Sequence, residues 1–281
     1  MDKFKREFDT GALKVIPYQQ KIISRDSSYQ EDYRELLIRL EREDWTMEPI
    51  FPYLKRVEEQ RKEYEFDLIF INETLRRISE IQDISGEEEP FSINVFPRTF
   101  LNSRFPTELC ELMYKNKIKA NFLTLELLER GHSLNEVLCN RTCRCSWNKN
   151  PLECWIIHSC FELQETTIQK VWNILVNKVW INLAIDDYPE GNNNASVLQI
   201  LEGLYDTVKF DWIFIEELFQ NNSPEDFIIK LQNAIDVVKK RNPNLKIVIE
   251  RVSSEELRTL LDKVEGITHY QWFIFHKPEQ L

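Results

Sequence analysis

A chain of 281 residues is long enough for one α/β barrel, which takes about 250 residues, or for two small domains. Hydrophobic content of 42% and charged content of 30% are ordinary for a soluble protein, and no window approaches the ~18 apolar residues that span a membrane. A net charge of −11 argues against direct binding to bulk nucleic acid, where basic patches supply most of the affinity.

An anionic nucleotide remains compatible with that charge, provided that Lys, Arg or metal ions make a locally positive spot. The first ten residues are charged, so no apolar signal region opens the chain. Six cysteines without such a signal point to free thiols in a reducing cytosol, so the expected location is cytoplasmic.

Residues 13–23 (L-K-V-I-P-Y-Q-Q-K-I-I) read as a first strand, with Gln19 near its middle or end. A polar turn follows. Residues 33–40 (Y-R-E-L-L-I-R-L) then set Glu35 and Arg39 in an apolar run. In a strand both fall on one face, because side chains alternate. Glu and Arg are rarely buried unpaired, so the two are either a structural ion pair or part of a site. Pro49 and Pro52 punctuate a turn before a charged helical run that reaches residue 66. Residues 67–82 continue as an amphipathic helix, with Leu68, Ile71, Leu75 and Ile78 at three-and-four spacing. The strand F-S-I-N-V-F carries Asn94 and closes at Pro97. A helix over 106–116 leads to a strand over 121–127 that carries Glu126.

Residues 131–165 stand apart. They hold five of the six cysteines (Cys139, Cys143, Cys145, Cys154 and Cys160) together with His132 and His158. The spacings do not match paired C-x-x-C zinc knuckles. Small buried thiols packing with Trp147, Trp155 and Ile156 are the plainer alternative to a zinc or redox site.

After a helix over 165–177, an apolar run from Val179 to Ile185 stops on Asp186 and Asp187. Two adjacent carboxylates raise each other's pKa unless a cation or donor sits between them. Hard divalent cations accept such oxygens, so this stretch reads as one wall of a metal site. A helix over 195–204 leads to a strand over 206–211 with Lys209 inside it. A helix over 223–240 stops before Asn242 and Pro243. A strand over 245–249 ends on Glu250, a helix over 254–264 starts on Ser254 as N-cap, and a last strand over 269–275 carries Gln271. One acid after a strand is usually an N-cap. Polar groups at strand after strand are instead the arrangement of an α/β barrel, whose catalytic groups gather at the carboxyl ends. Strands alternating with helices give a mostly parallel sheet. The expectation is one domain over residues 1–281, an α/β TIM-like (β/α)8 barrel with a Cys-rich insertion at about 131–165.

These residues bring a family into view. Over roughly residues 13–279 the chain resembles the EAL-domain phosphodiesterases, which hydrolyse cyclic di-GMP. The family's E-A-L-L-R is here E-L-L-I-R, which gives Glu35 a metal-ligand place and Arg39 a phosphate-contacting place. Y-Q-P-I is matched by Y-Q-Q-K, which gives Gln19 a ligand-contacting place, and V-N-L-S-P by I-N-V-F-P, which gives Asn94. L-E-I-T-E becomes L-E-L-L-E, with Glu126 as metal ligand and Glu129 as anchor of the loop after the paired aspartates. L-D-D-F-G-T-G is here I-D-D-Y-P-E-G. L-K-I-D becomes V-K-F-D with Lys209, A-E-G-V-E becomes I-E-R-V-S with Glu250, and Q-G-Y-x-F-x-x-P becomes Q-W-F-I-F-H-K-P with Gln271.

The resemblance implies a TIM-like barrel and a cofactor of two Mg2+ or Mn2+ ions. Glu35, Asn94, Glu126 and Asp186 would hold one ion; Asp186 and Asp187, with Glu250, would hold the other. Lys209, Glu250 and Glu35 are the catalytic candidates, and Gln19, Arg39 and Gln271 the ligand contacts. The implied reaction is hydrolysis of cyclic di-GMP to linear pGpG, with a homodimer or a regulatory protein as a further expected partner. Four departures stand out: Pro189 in the loop after Asp187, Trp212 where the family has Arg, Arg251 where it has Gly, and Trp272 where it has Gly. They keep open an alternative of another class, a weak or inactive regulator that binds cyclic di-GMP or a protein.

Overall fold

Alternating burial shapes the first two strands. β1 (Leu13–Ser24) and β2 (Tyr33–Arg42) pair antiparallel without interruption from Leu13 opposite Arg42 to Ile22 opposite Tyr33. The coordinates are a computed structural model that describes residues 7–8, 12–26, 31–100, 102–128, 174–189, 204–271 and 277–281. The Cys-rich segment, most of the helices expected over 165–177 and 195–204, the end of the strand expected over 269–275, Glu129 and Trp272 lie outside the described residues.

A short β3 (Met47–Glu48) pairs with β2. The charged run that follows is two helices, α1 (Ile50–Glu59) and α2 (Glu63–Ser85), divided at Arg61, whose φ of 56° breaks the helical path. α2 ends at Gly86, which takes φ 73° and returns its N–H to Gln82; this left-handed cap favours glycine. Then come β4 (Phe91–Val95), α3 (Pro97–Phe100), α4 (Phe105–Lys115) and β5 (Leu123–Leu127). The second half has β6 (Asn182–Tyr188), β7 (Thr207–Phe210), α5 (Trp212–Asn221), α6 (Pro224–Lys239), β8 (Lys246–Ile249), α7 (Glu255–Leu261), β9 (His269–Gln271) and β10 (Glu279–Gln280). Helix α5 was not anticipated, since W-I-F-I-E-E-L-F is too continuously apolar to show a helical stripe. Its start is fixed locally, because Asp211 caps it by accepting the Ile213 N–H.

Eight strands close a ring in the order β1, β9, β8, β7, β6, β5, β4, β2 and back to β1. From β2 round to β9 every neighbour is parallel; β1 alone runs antiparallel to both of its neighbours. The reason is the connection. The link from Ser24 to Tyr33 is too short for the crossover of a dozen or more residues that parallel neighbours need. The fold is therefore a closed eight-stranded barrel wrapped by helices.

Most of the core lies between the outer strand faces and the helices, with Leu36, Leu40, Phe66, Ile185, Phe210 and Phe227 among its buried members. A separate cluster of Ile22, Tyr33 and Val248 fills the barrel's interior. His269 packs edge-on to Tyr33 at 5.4 Å, and burial pushes its pKa down to about 4, so it sits there as a neutral ring. Among the described residues no helix is long and apolar enough to cross a membrane.

Candidate active site

Strand alternation carries the interior face upward from the apolar cluster. Ile22, Tyr33 and Val248 point inward, so Gln20, Glu35 and Glu250, two residues along, point inward as well. Every strand of the ring delivers one such side chain: Gln20, Glu35, Asn94, Glu126, Asp186, Lys209, Glu250 (one residue past β8) and Gln271. They form a connected polar cluster. The Lys209 ammonium lies 2.8 Å from Glu250 Oε1, 2.9 Å from Glu126 Oε2, 2.9 Å from Asp186 Oδ1 and 3.3 Å from Glu35 Oε2. Asn94 donates to Glu35 Oε1 at 2.7 Å, and Gln271 donates to Glu35 Oε2 at 2.6 Å and to Gln20 at 3.2 Å. Gln20, Glu35, Asn94, Asp186, Glu250 and Gln271 line a cavity of about 310 Å³ that also meets Asp187, Arg39 and Arg251. Arg39, on the inner face of β2, packs over the Tyr18 ring at 5.4 Å and donates to the Ile38 carbonyl. Asp187 and Arg251 both hold positive φ, 51° and 46°. Left-handed backbone at non-glycine residues concentrates where function fixes a strained shape.

One buried ammonium faces four buried carboxylates. Burial pushes Glu126 up to about 8; Lys209 pulls it back, and Glu35 and Asp186 push it further up. Burial likewise raises Glu250; Lys209 opposes the rise, and Asp186, Asp187 and Glu35 add to it. Glu35 goes the other way. Burial would raise it, but the Lys209 charge and the bonds from Gln271 and Asn94 hold it below the usual carboxylate range. Such a set is short of positive charge. Asp186, Asp187 and Glu250 each offer a carboxylate oxygen within 4.8 Å of the others. The Oδ1 of Asn94 is buried with no hydrogen-bond partner among the described residues. An unused carbonyl oxygen beside clustered carboxylates is a donor set for a hard divalent cation, so the residues present fit Mg2+ or Mn2+.

The sequence assignments meet this geometry with one correction. Glu35, Asn94, Glu126, Asp186, Lys209, Glu250 and Gln271 come together, with Asp187 and Arg39 lining the same cavity. Gln19 does not. It lies on the outer face of β1, accepting from Arg34 at 2.7 Å and donating to Glu279 at 3.0 Å. The inward residue is Gln20, because a slip of one position turns a strand side chain to the other face. The signal was present: shifting Y-Q-P-I by one residue aligns Gln20 with its Gln and Ile22 with its Ile.

Asp67 also escaped the sequence reading. It lies on the buried stripe of α2, accepts the Phe96 N–H at 2.9 Å, and lines the same cavity. Burial pushes its pKa up to about 8, against the bonds from Thr99 and Phe96. A carboxyl raised in the fold binds protons more tightly there than in the unfolded chain. Stability then falls as pH rises from about 4 to about 8. Asp67→Asn, which keeps the acceptor for Phe96, is expected to raise the melting temperature at pH 8 and to do so far less at pH 4.5; thermal melts at the two values check this.

A closed, mostly parallel barrel with an oxygen-rich acidic well built from all eight strands defines the class. The chain belongs to the EAL domain family, whose model matches residues 3–278. Among curated proteins it is 27% identical over 219 residues to the cyclic di-GMP phosphodiesterase PdeA of Borreliella burgdorferi, covering 77% of this chain and 27% of the relative. It is 24% identical over 249 residues to the cyclic di-GMP phosphodiesterase PdeF of Escherichia coli, covering 89% of this chain and 28% of the relative. The chain thus spans a little over a quarter of the length of each. Among solved structures, the PaMucR phosphodiesterase in complex with c-di-GMP superposes with a TM-score of 0.69 at 18% identity, over 98% of this chain and 95% of that one. The FimX EAL domain from Pseudomonas aeruginosa bound to c-di-GMP gives 0.70 at 14% identity, over 99% and 95%. Likeness at those identities establishes the fold.

Proposed function

We propose that this chain is a metal-dependent phosphodiesterase that hydrolyses cyclic di-GMP to linear pGpG. The observation that carries the reading is the acidic cluster around Lys209, which gathers Glu35, Glu126, Asp186 and Glu250, the positions that the EAL resemblance assigns to metal binding and catalysis. The curated relatives named as cyclic di-GMP phosphodiesterases support it. Glu35, Asn94, Glu126 and Asp186 would hold one Mg2+ or Mn2+; Asp186, Asp187 and Glu250 would hold a second. Bound there, the ions would supply Lewis acidity and a lowered water pKa. Lys209 orients the attacking water and offsets phosphate charge. Arg39 grips the phosphate, as a guanidinium can with two parallel donors. Gln271 holds Glu35, and Gln20 holds Gln271. Water adds to phosphorus, the bond to the 3′ oxygen breaks, and that oxygen leaves with a proton, which opens the ring to a 5′-phosphorylated dinucleotide.

The test is incubation with cyclic di-GMP and Mg2+ or Mn2+, with and without EDTA, followed by chromatography of the nucleotides. Metal-dependent pGpG is expected. Intact cyclic di-GMP under all conditions overturns the reading; binding without turnover would make the chain a receptor. The corrected strand facing gives a sharper check. Gln20→Ala is expected to lower kcat/KM about tenfold through the lost buried bond to Gln271, whereas Gln19→Ala leaves it within about twofold.

A further inference from the structure

We infer that Arg251, steadied by Trp212, is an anion contact at the mouth of the well, where it takes the nucleotide phosphate that is not being cut. The inference rests on the phosphodiesterase reading and adds a ligand-binding residue to it.

Arg251 follows Glu250 directly and lines the same cavity as Asp186 and Asp187. Asp186 and Glu250 are buried and Asp187 is half-buried, but Arg251 is exposed. Its side chain therefore belongs to the mouth and not to the floor. The guanidinium carbon stands 5.2 Å from the centre of the Trp212 ring, at the start of α5. A flat indole face holds a guanidinium in one plane and leaves its N–H fork open to solvent. Asp211 is the nearby acid on that side, and its carboxyl feels the Arg251 charge. Arg39 borders the same cavity from β2, with one N–H donated to the Ile38 carbonyl.

Charge supplies the next link. A cyclic dinucleotide carries two phosphodiesters, and this chain carries a net charge of −11 with an acidic well. One phosphate is drawn into the well with the ions. The other needs a cation outside it, or it is repelled. Arg251 is a cation at that place, bordered by solvent.

The backbone carries a separate sign. Arg251 holds φ 46°, a conformation that costs a branched-at-Cβ or long side chain strain and costs glycine none. The EAL motif has glycine here and arginine at the position of Trp212. This chain has arginine at 251 and tryptophan at 212, and the guanidinium from 251 lies against the ring at 212. The positive charge lost at 212 is thus matched by one gained at 251, next to it in space.

The test compares Arg251→Ala, Arg251→Lys, Arg251→Gly and Trp212→Ala with the unaltered chain. Titration calorimetry with cyclic di-GMP in Ca2+ and steady-state kinetics in Mn2+ are the readouts. Arg251→Ala is expected to raise Kd and KM about tenfold, with the loss falling mainly on KM, and to flatten the salt dependence of Kd. Arg251→Lys recovers part of the affinity. Trp212→Ala gives an intermediate loss. Arg251→Gly loses affinity as alanine does while raising Tm, since it relieves the left-handed backbone, so weak binding cannot be ascribed to misfolding. Kd and KM unchanged in both Arg251→Ala and Arg251→Gly, in a chain that itself binds and cleaves, overturn this inference alone. An unaltered chain that neither binds nor cleaves cyclic di-GMP overturns the phosphodiesterase reading and this inference with it.

Discussion

Glu35→Ala is expected to abolish metal-dependent cleavage of cyclic di-GMP, with kcat/KM falling by at least about 10³-fold. Glu35 is the hub of the cluster: Asn94 binds one of its oxygens, and Gln271 and Lys209 meet the other. Truncation therefore removes a proposed metal ligand, leaves the Asn94 amide without its acceptor, and takes one of several acceptors from Gln271 and Lys209. A donor left unmet costs about 1–3 kcal/mol, so some loss of stability accompanies the loss of activity. Two measurements separate the effects. Circular dichroism reports whether the barrel persists, and chromatography of the nucleotide reports turnover. Wild-type-like cleavage by a folded Glu35→Ala chain would sink the site assignment.

Lys209→Met should have the second large effect, and on stability as much as on turnover. The side chain is fully buried, and its ammonium is the cation shared by Glu35, Glu126, Asp186 and Glu250. Removing one partner from a buried ionic cluster costs roughly 3–5 kcal/mol, because the remaining charges stay buried and uncompensated. The pH dependence follows in sign. In the native chain the four carboxylates raise Lys209 above its ordinary value, so its contribution is complete below the ordinary lysine range and lost as pH rises through the raised value. Glu126 already titrates at about 8 against an ordinary 4.5. Without the ammonium the acids rise further, and the fold binds more protons than the unfolded chain. The variant should thus be least stable at high pH and recover toward pH 4. Added Mg2+ or Mn2+ should raise its melting temperature more than that of the unaltered chain, because the ion replaces the missing positive charge. Denaturant melts at pH 5 and pH 8, with and without metal, give the answer; equal stability at both values would count against the shared role of Lys209.

Much of this molecule was legible from the chain alone. Apolar runs ending in polar residues gave the strands of the barrel, because a strand buried on both faces reads as a nearly continuous apolar run and cannot tolerate a charge except at a site. The same runs gave Glu35, Asn94, Glu126, Asp186, Asp187, Lys209, Glu250 and Gln271, since repeated acids at strand ends have no simpler use than a shared cation. N-caps such as Ser254 were visible because their hydrogen bonds are made within a few residues.

Tertiary structure decided the rest, wherever the deciding contact was distant in sequence. The facing of β1 is the clearest case. Gln19 and Gln20 are the same residue type in adjacent places, and the motif match can be set on either; pairing with β2 and β9 turns Gln20 toward Glu35 and Gln271 and leaves Gln19 with Arg34 and Glu279. Asp67, at the start of the helix expected over 67–82, carried no local mark of its role; its burial comes from the chain just after β4, where it accepts the Phe96 N–H. Arg251 and Trp212 are 39 positions apart in number, and no local pattern joins them; adjacent strands β7 and β8 do. The sequence by itself determined most of the elements, α5 excepted, and which residue types can do chemistry, since both follow from short-range patterns of polarity. Which side of a strand a residue occupies, and which charges meet, were fixed only when the barrel closed.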